Sequence, residues 1–244
     1  MFFVSDINSF LFCKRKFALS KVLKIKEHSY SIDVGNFFHE CIEFFYKNEQ
    51  DYIIKLKPTK DSLELTYRKL KNDSILHVIK KYRIGDEELT MLNQFVLMHM
   101  NNRVESVKSY LEMKGLSSLE GIEIYPKIKS EVKISDETLN LIGRVDMLEI
   151  YEDEIVPVEI KSSELRDSYT MQAVAYGIML RNRKFHVSRV KILSPKEIKE
   201  IYINPFHVIE LKKLLVEMEK ALLELPKPEY KPYCESCVYK EHCF

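Results

Sequence analysis

Residues 141–161 read LIGRVDMLEIYEDEIVPVEIK. Two runs rich in Ile, Val and Leu flank an acidic centre, which predicts strands over 141–150 and 155–161 joined by a turn at Glu152 and Asp153. A tight hairpin centred between those two residues sets Asp146 opposite Glu159. Opposed residues share a face, and a period of two brings Lys161 onto it while Val158 and Ile160 point into apolar packing. Two carboxylates then stand beside an ammonium. Oxygen donors of this kind suit Mg²⁺ or Mn²⁺. Asp146 is the direct ligand in that reading, and Glu159 shares the ion with the carbonyl of Ile160. Lys161 orients or helps deprotonate an attacking water and favours the charge developing on a phosphate. A cross-strand ion pair on a wet surface uses the same residues, so the stretch alone leaves both readings open.

Downstream, DSYTMQAVAYGIMLRN predicts a helix over about 167–180, with Gln172 and Tyr176 one turn apart. HVSRVKILSPKEIKEIYINP reads as a two-strand hairpin, and Pro205 opens a last long helix over 206–225. Upstream, the period-two stretch LEGIEIYPKIKSEVKI from Leu119 predicts strand. Residues 60–115 are lysine-rich, proline-free and apolar at helical spacing, predicting two or three helices ended by Gly115. SIDVGNFFHECIEFFYKN predicts an amphipathic helix over 33–48, capped by Ser31 or Asp33. His39 lies between its apolar stripe and its polar face. It is either a surface histidine or an imidazole ligand that tilts the site toward Mn²⁺. Gly35, one turn earlier, leaves room for another backbone or a ligand. A helical start over 2–20 takes Ser5 as its cap, with Phe10, Cys13 and Phe17 at helical spacing.

The 244 residues suffice for one domain with an elaboration. Apolar residues make up 45% and charged ones 31%, a balance that fits a soluble globular chain. Six glycines and eight prolines leave no material for long flexible linkers. With no secretory-type start and no membrane-length apolar run, the expected location is the cytoplasm and no membrane contact is expected. The net charge of +1 makes any phosphate-binding surface a local one. Residues 14–26, KRKFALSKVLKIK, carry six Lys or Arg and no acid, as a DNA contact or as plain solvated surface.

Three of the five cysteines close the chain as CESCVYKEHC, a C-x2-C-x5-C spacing. In a cytoplasmic chain such thiols point to a metal or a cluster, and to a disulfide only in a heat-adapted setting. Four thiolates satisfy tetrahedral Zn²⁺ or a [4Fe–4S] cluster, and spacing does not choose between them. His242 could replace one cysteine in a zinc site. Cys41 falls on the apolar stripe of its helix and reads as a core thiol.

GRVDML and VPVEIK together resemble the metal-binding core of the PD-(D/E)xK nuclease superfamily, in the order Asp146, then Glu159-x-Lys161. GNFFHE before them and QAVAYG after them resemble the flanking motifs of its RecB-like branch. Within that branch, Cys13 in FLFCKRKF together with Cys234, Cys237 and Cys243 resembles the CRISPR-associated exonucleases that carry an iron–sulfur cluster. The motifs run from about Ser5 to Cys243; the 60–115 block carries none of them. The resemblance implies an α/β, restriction-endonuclease-like core with a central mixed sheet flanked by helices. Residues 1–244 would form one nuclease domain, with 60–115 a helical insertion or cap and 1–26 and 227–244 cluster-binding terminal segments. It implies His39, Asp146, Glu159 and the Ile160 carbonyl as ligands of Mn²⁺ or Mg²⁺, with Asp146, Glu159 and Lys161 as the catalytic set. Gln172 and Tyr176 would support the active-site strand and the DNA backbone. Cys13, Cys234, Cys237 and Cys243 would hold [4Fe–4S] and pin the two termini together. The implied activity is hydrolysis of single-stranded DNA, mainly as a 5′ to 3′ exonuclease with endonuclease activity possible, acting on fragments that a CRISPR integrase complex inserts. Two other roles stay open. One is the nuclease partner of a DNA-repair helicase on a separate chain, since no G-x4-G-K-[ST] loop occurs here. The other is a non-catalytic DNA-binding scaffold of an integrase complex.

Overall fold

The structure is a computed structural model. It describes residues 1–25, 30–119, 124 and 126–243, with the side chains of 30–33 left out. The hairpin of residues 141–160 is its centre. β3 (Leu141–Ile150) and β4 (Ile155–Ile160) pair antiparallel, and Met147 faces Val158 at the end of the ladder. The next position across is Asp146 opposite Glu159, as the acidic turn predicts; Tyr151 N donates to Glu154 O at 2.8 Å to close that turn.

β2 (Lys127–Asp136) runs antiparallel along one whole edge of β3. The other edge is shared: β1 (Phe2–Phe3) pairs parallel with Leu141 and Ile142, and β4 takes Met147 to Ile150. Residues 143–146 lie in the split between β1 and β4. Two side-chain contacts serve that split, as buried backbone polar groups require. Tyr176 Oη donates to Arg144 O at 2.9 Å, and Ile160 N donates to Asp146 Oδ2 at 2.7 Å. β5 (Arg189–Leu193) joins β4 in parallel and β6 (Ile198–Tyr202) joins β5 antiparallel, giving a mixed six-stranded sheet. Parallel neighbours need a crossover, and α6 (Asp167–Asn182) supplies it.

Helices cover both faces, which is why β4 is buried from Val156 to Ile160. On one side, eleven of the sixteen α6 residues are buried, so this helix lies inside the molecule rather than on it. It packs with α1 (Val4–Phe12) and α7 (Pro205–Leu223), and Phe17 and Ala18 of α2 (Lys14–Leu23) join the same core. On the other side stand α3 (Tyr30–Leu56), α4 (Leu63–Lys81) and α5 (Asp86–Lys114). Their apolar residues form a second core with Met147, Val158, Ile160 and Leu193 of the sheet, so Val158 and Ile160 point where the strand period predicts. Residues 60–115 fold as two helices, ended at Gly115 with φ +67°.

Several local expectations are corrected. The 2–20 segment opens with β1 and breaks at Cys13 into two helices; Ser5 lies inside α1, whose start is capped by Phe3 N donating to Asp6 Oδ2 at 2.7 Å. Ser31 and Asp33 lie inside α3, one and three residues past its start, so neither is its cap. The strand expected from Leu119 begins at Lys127, and residues 120–123 and 125 of that expectation lie outside the described ones. At Gly35 a methyl would touch, among the described residues, Ser162 Oγ at 3.7 Å and no backbone, so the room beside it is not taken by another strand or helix. The chain ends in a 3₁₀ turn (Pro232–Ser236) and α8 (Lys240–Cys243), folded back on the first helices.

Candidate active site

Glu159 is 3% exposed although it carries a carboxylate, and its two oxygens are treated differently. Oε1 accepts from Lys161 Nζ at 2.6 Å and from Gln172 Nε2 at 2.6 Å, while buried Oε2 has no hydrogen-bond partner among the described residues. Burial and the neighbouring Asp146 push its pKa above the ordinary carboxylate range, against the pull of Lys161. Burial lowers the affinity of Lys161 for its proton, but the Glu159 carboxylate and its hydrogen bond more than offset this and hold the pKa raised. Its ammonium also donates to Gln172 Oε1 at 3.2 Å and lies 4.7 Å from the centroid of the Tyr169 ring.

Asp146 is reached from two elements. Oδ2 takes the Ile160 N–H, and Oδ1 lies 3.4 Å from His39 Nδ1 of α3. Burial lowers the His39 pKa, but the charge and hydrogen bond of Asp146, helped by Glu159, leave it raised overall. The structure thus brings His39, Asp146, Glu159, Ile160, Lys161 and Gln172 together. Tyr176 sits one turn along α6 from Gln172 and holds β3 through the Arg144 carbonyl. The glycine of GRVD makes room for it. A methyl on Gly143 would lie 2.6 Å from Tyr176 Cε1 and 2.9 Å from Val4 Cγ2.

Asp146, Glu159 and Gln172 line an open groove of about 630 Å³, along which Lys133, Arg144 and Arg183 also stand. One acid escaped the motif arithmetic. One ligand atom each of Glu131 in β2, His39 and Asp146 lie within 4.8 Å of one another. The signal that could have found Glu131 is a second hairpin, β2 to β3, whose register sets Ser130 opposite Met147 and Val132 opposite Val145.

A profile of the PD-(D/E)XK nuclease superfamily matches residues 3–244. The chain belongs to the PD-(D/E)XK nuclease superfamily. Its fold is accordingly restriction-endonuclease-like, and nucleases of this superfamily use divalent metals, for which the His39, Glu131 and Asp146 group is a candidate site. Among solved structures, a "putative exonuclease" from Eubacterium rectale is similar at 12% identity and a TM-score of 0.46, covering 98% of this chain and 86% of its own. The protein SSO0001 is similar at 14% identity and a TM-score of 0.33, covering 96% of each chain. No curated protein matches. Among the described residues no helix is long and apolar enough to cross a membrane.

Cys13, Cys234, Cys237 and Cys243 line a separate cavity of about 210 Å³, with Lys14, Lys16, Lys231 and Lys240 around it. All four are free thiols. His242 does not line the cavity. Among the described residues, no three of these sulfurs lie within 4.8 Å of one another. Cys41 is fully buried in the α3–α5 core, and burial pushes its thiol up to about 12. The basic run near Cys13 is largely spoken for: Lys14 pairs with Glu217, Arg15 donates to Pro226 O and Lys21 pairs with Asp6.

Proposed function

We propose that this nuclease is a divalent-metal-dependent deoxyribonuclease that degrades single-stranded DNA from an end, 5′ to 3′ with some internal cutting. In the cell it trims fragments for a CRISPR integrase complex in the cytoplasm. The observation that carries the reading is the convergence of Lys161 and Gln172 on one oxygen of buried Glu159 beside Asp146, leaving the other oxygen unpaired in a basic groove. A buried carboxylate oxygen left without a donor is costly unless a cation meets it. A non-catalytic scaffold has no use for that arrangement.

Asp146, Glu159, the Ile160 carbonyl and His39 fit as the ligand set for Mn²⁺ or Mg²⁺. When bound, the ion supplies Lewis-acid polarisation of the phosphate and an acidified water. Lys161, which donates to Glu159 Oε1 at 2.6 Å, orients the attacking water and offsets the charge that grows on the phosphate. Gln172 fixes the carboxylate of Glu159, and Tyr176 fixes the strand that carries Asp146. Lys133, Arg144 and Arg183 supply the local phosphate-binding surface that a net charge of +1 demands. A groove of about 630 Å³ holds a nucleotide or two of one strand rather than both strands of a duplex.

The four cysteines fit as ligands of [4Fe–4S]. They meet at one cavity, and their positive surroundings suit an anionic cluster. The cluster would join segments 1–26 and 227–244 of a single 1–244 domain, while α4 and α5 are the 60–115 insertion. The test is digestion of 5′- and 3′-labelled single and double strands with Mn²⁺ by anaerobically purified protein, alongside iron analysis. The reading expects short products from the 5′ end of single strands and about four irons per chain. Equal cutting of duplex, or release from 3′ ends alone, would overturn the substrate reading, and zinc in place of iron the cluster.

A further inference from the structure

Glu131 occupies an unusual piece of backbone. It stands mid-strand in β2, between the Ser130–Met147 and Val132–Val145 pairs, and so lies across the ladder from Asp146. Its φ is +56°, a left-handed conformation that a glutamate in a strand rarely takes. Burial raises its pKa, and Asp146 and Glu43 add to this against the pull of Arg144. Its Oε2 lies 2.6 Å from Arg144 Nε, in an ion pair whose arginine side chain is 63% exposed. With His39 Nδ1 or Nε2 and an Asp146 oxygen, a Glu131 oxygen completes a group of donors small enough to share one ion. A second sign of a missing cation lies on the other side of Asp146: among the described residues, buried Glu159 Oε2 has no hydrogen-bond partner.

We propose that Glu131 is a further ligand of the divalent cation, delivered from β2, and that Arg144 holds its place until the cation arrives. With the cation bound, Glu131 would release the guanidinium, and Arg144, already mostly in solvent, would turn to a phosphate of the strand in the groove. This rests on the reading of Asp146 and Glu159 as ligands and adds to that set a residue outside the D…E-x-K pattern. Glu131, Asp146 and His39 then face the ion as one group, and Glu159, which stands outside that group, meets it through Oε2 from the far side of Asp146, a donor set that Mn²⁺ accepts.

The test is Mn²⁺ titration by calorimetry of the intact, cluster-loaded protein, comparing wild type with Glu131→Gln, Glu43→Gln and Glu159→Gln. Glu43 acts on Glu131 through its charge but belongs neither to the His39, Glu131 and Asp146 group nor to the D…E-x-K set, so it separates ligation from simple loss of a negative charge. Glu131→Gln is expected to weaken Mn²⁺ about 10–100-fold, and Glu43→Gln by less than about threefold. Glu131→Gly relieves the backbone and should melt no lower than wild type while binding Mn²⁺ as poorly as Glu131→Gln. Equal losses in Glu131→Gln and Glu43→Gln, or wild-type affinity in Glu131→Gly, overturn the proposal. If Glu131→Gln binds normally while Glu159→Gln does not, the inference falls and the nuclease site stands. If neither variant changes binding, the site itself is wrongly placed.

Discussion

Gly143 shows how much one absent methyl can decide. The Tyr176 ring occupies the space where a Cβ would stand, and from there its hydroxyl reaches the Arg144 carbonyl two positions before Asp146. Gly143→Ala therefore forces either the ring or Val4 to move inside a packed core. Overpacking of this kind costs about 1–3 kcal/mol, and the displaced strand should lower cleavage more than a purely thermal defect would. Denaturant unfolding beside an activity assay well below the melting temperature checks this; an unchanged midpoint contradicts it. At this scale the sequence was informative where chemistry and period coincide. The acidic turn at Glu152 and Asp153 put Asp146 opposite Glu159 because a hairpin register follows from its centre. Glu131 stayed hidden because its position depends on a second hairpin and on a left-handed residue that no local pattern announces.

Among the elements, the β2–β3 hairpin is tied off by Asp136. Its Oδ1 accepts from Thr138 Oγ1 at 2.6 Å and Leu139 N at 3.1 Å, and its Oδ2 accepts from Asn182 Nδ2 at 2.7 Å at the end of α6. Burial opposes ionisation, but these hydrogen bonds hold the pKa below the ordinary aspartate value. A depressed folded-state pKa means that the stabilisation is fully present above the unfolded-state value near 3.8 and is lost as pH falls through the folded one. Asp136→Ala should cost about 1–3 kcal/mol at neutral pH, and the gap from wild type should narrow below about pH 4. Unfolding curves at pH 7 and pH 3 decide it, and a gap that widens in acid contradicts the assignment. Strand and helix identities were legible here from period and composition. Helix starts were not: Ser5 looks like a cap, yet β1 pairing fixes the chain at Phe2 and Phe3 and gives the capping role to Asp6.

At the scale of the whole molecule, two cores share one sheet, and the core under α3–α5 contains an ion pair. Arg103 donates to Glu49 through Nε at 2.6 Å and Nη2 at 2.9 Å, and its Nη2 also reaches Pro126 O at 2.9 Å. Tyr67 Oη donates to the same carboxylate at 2.5 Å, so α3, α4 and α5 meet at Glu49. Arg103→Ala leaves a buried carboxylate with one neutral donor, and a loss of about 3–5 kcal/mol is expected; a loss below 1 kcal/mol would show the helices held by apolar packing alone. The 60–115 block, which carries no motif, is thus built into the fold through α5. The termini meet through Phe12 and Tyr233, whose rings stack at 4.2 Å, and through Tyr239 Oη donating to Ile25 O at 3.1 Å. Which helices would bury which face of the sheet was not legible, because α3 to α5 are amphipathic without naming their partner.

The central claim is that Asp146, Glu159 and Lys161 form a metal-dependent phosphodiesterase site. Its most direct test is cleavage of end-labelled single-stranded DNA with Mn²⁺ by wild type, Glu159→Ala and Lys161→Ala, matched for melting temperature and cluster content. Cleavage by wild type and a loss of at least about a hundredfold in both variants is the predicted result. Cleavage that survives both substitutions would place the active site elsewhere on the molecule.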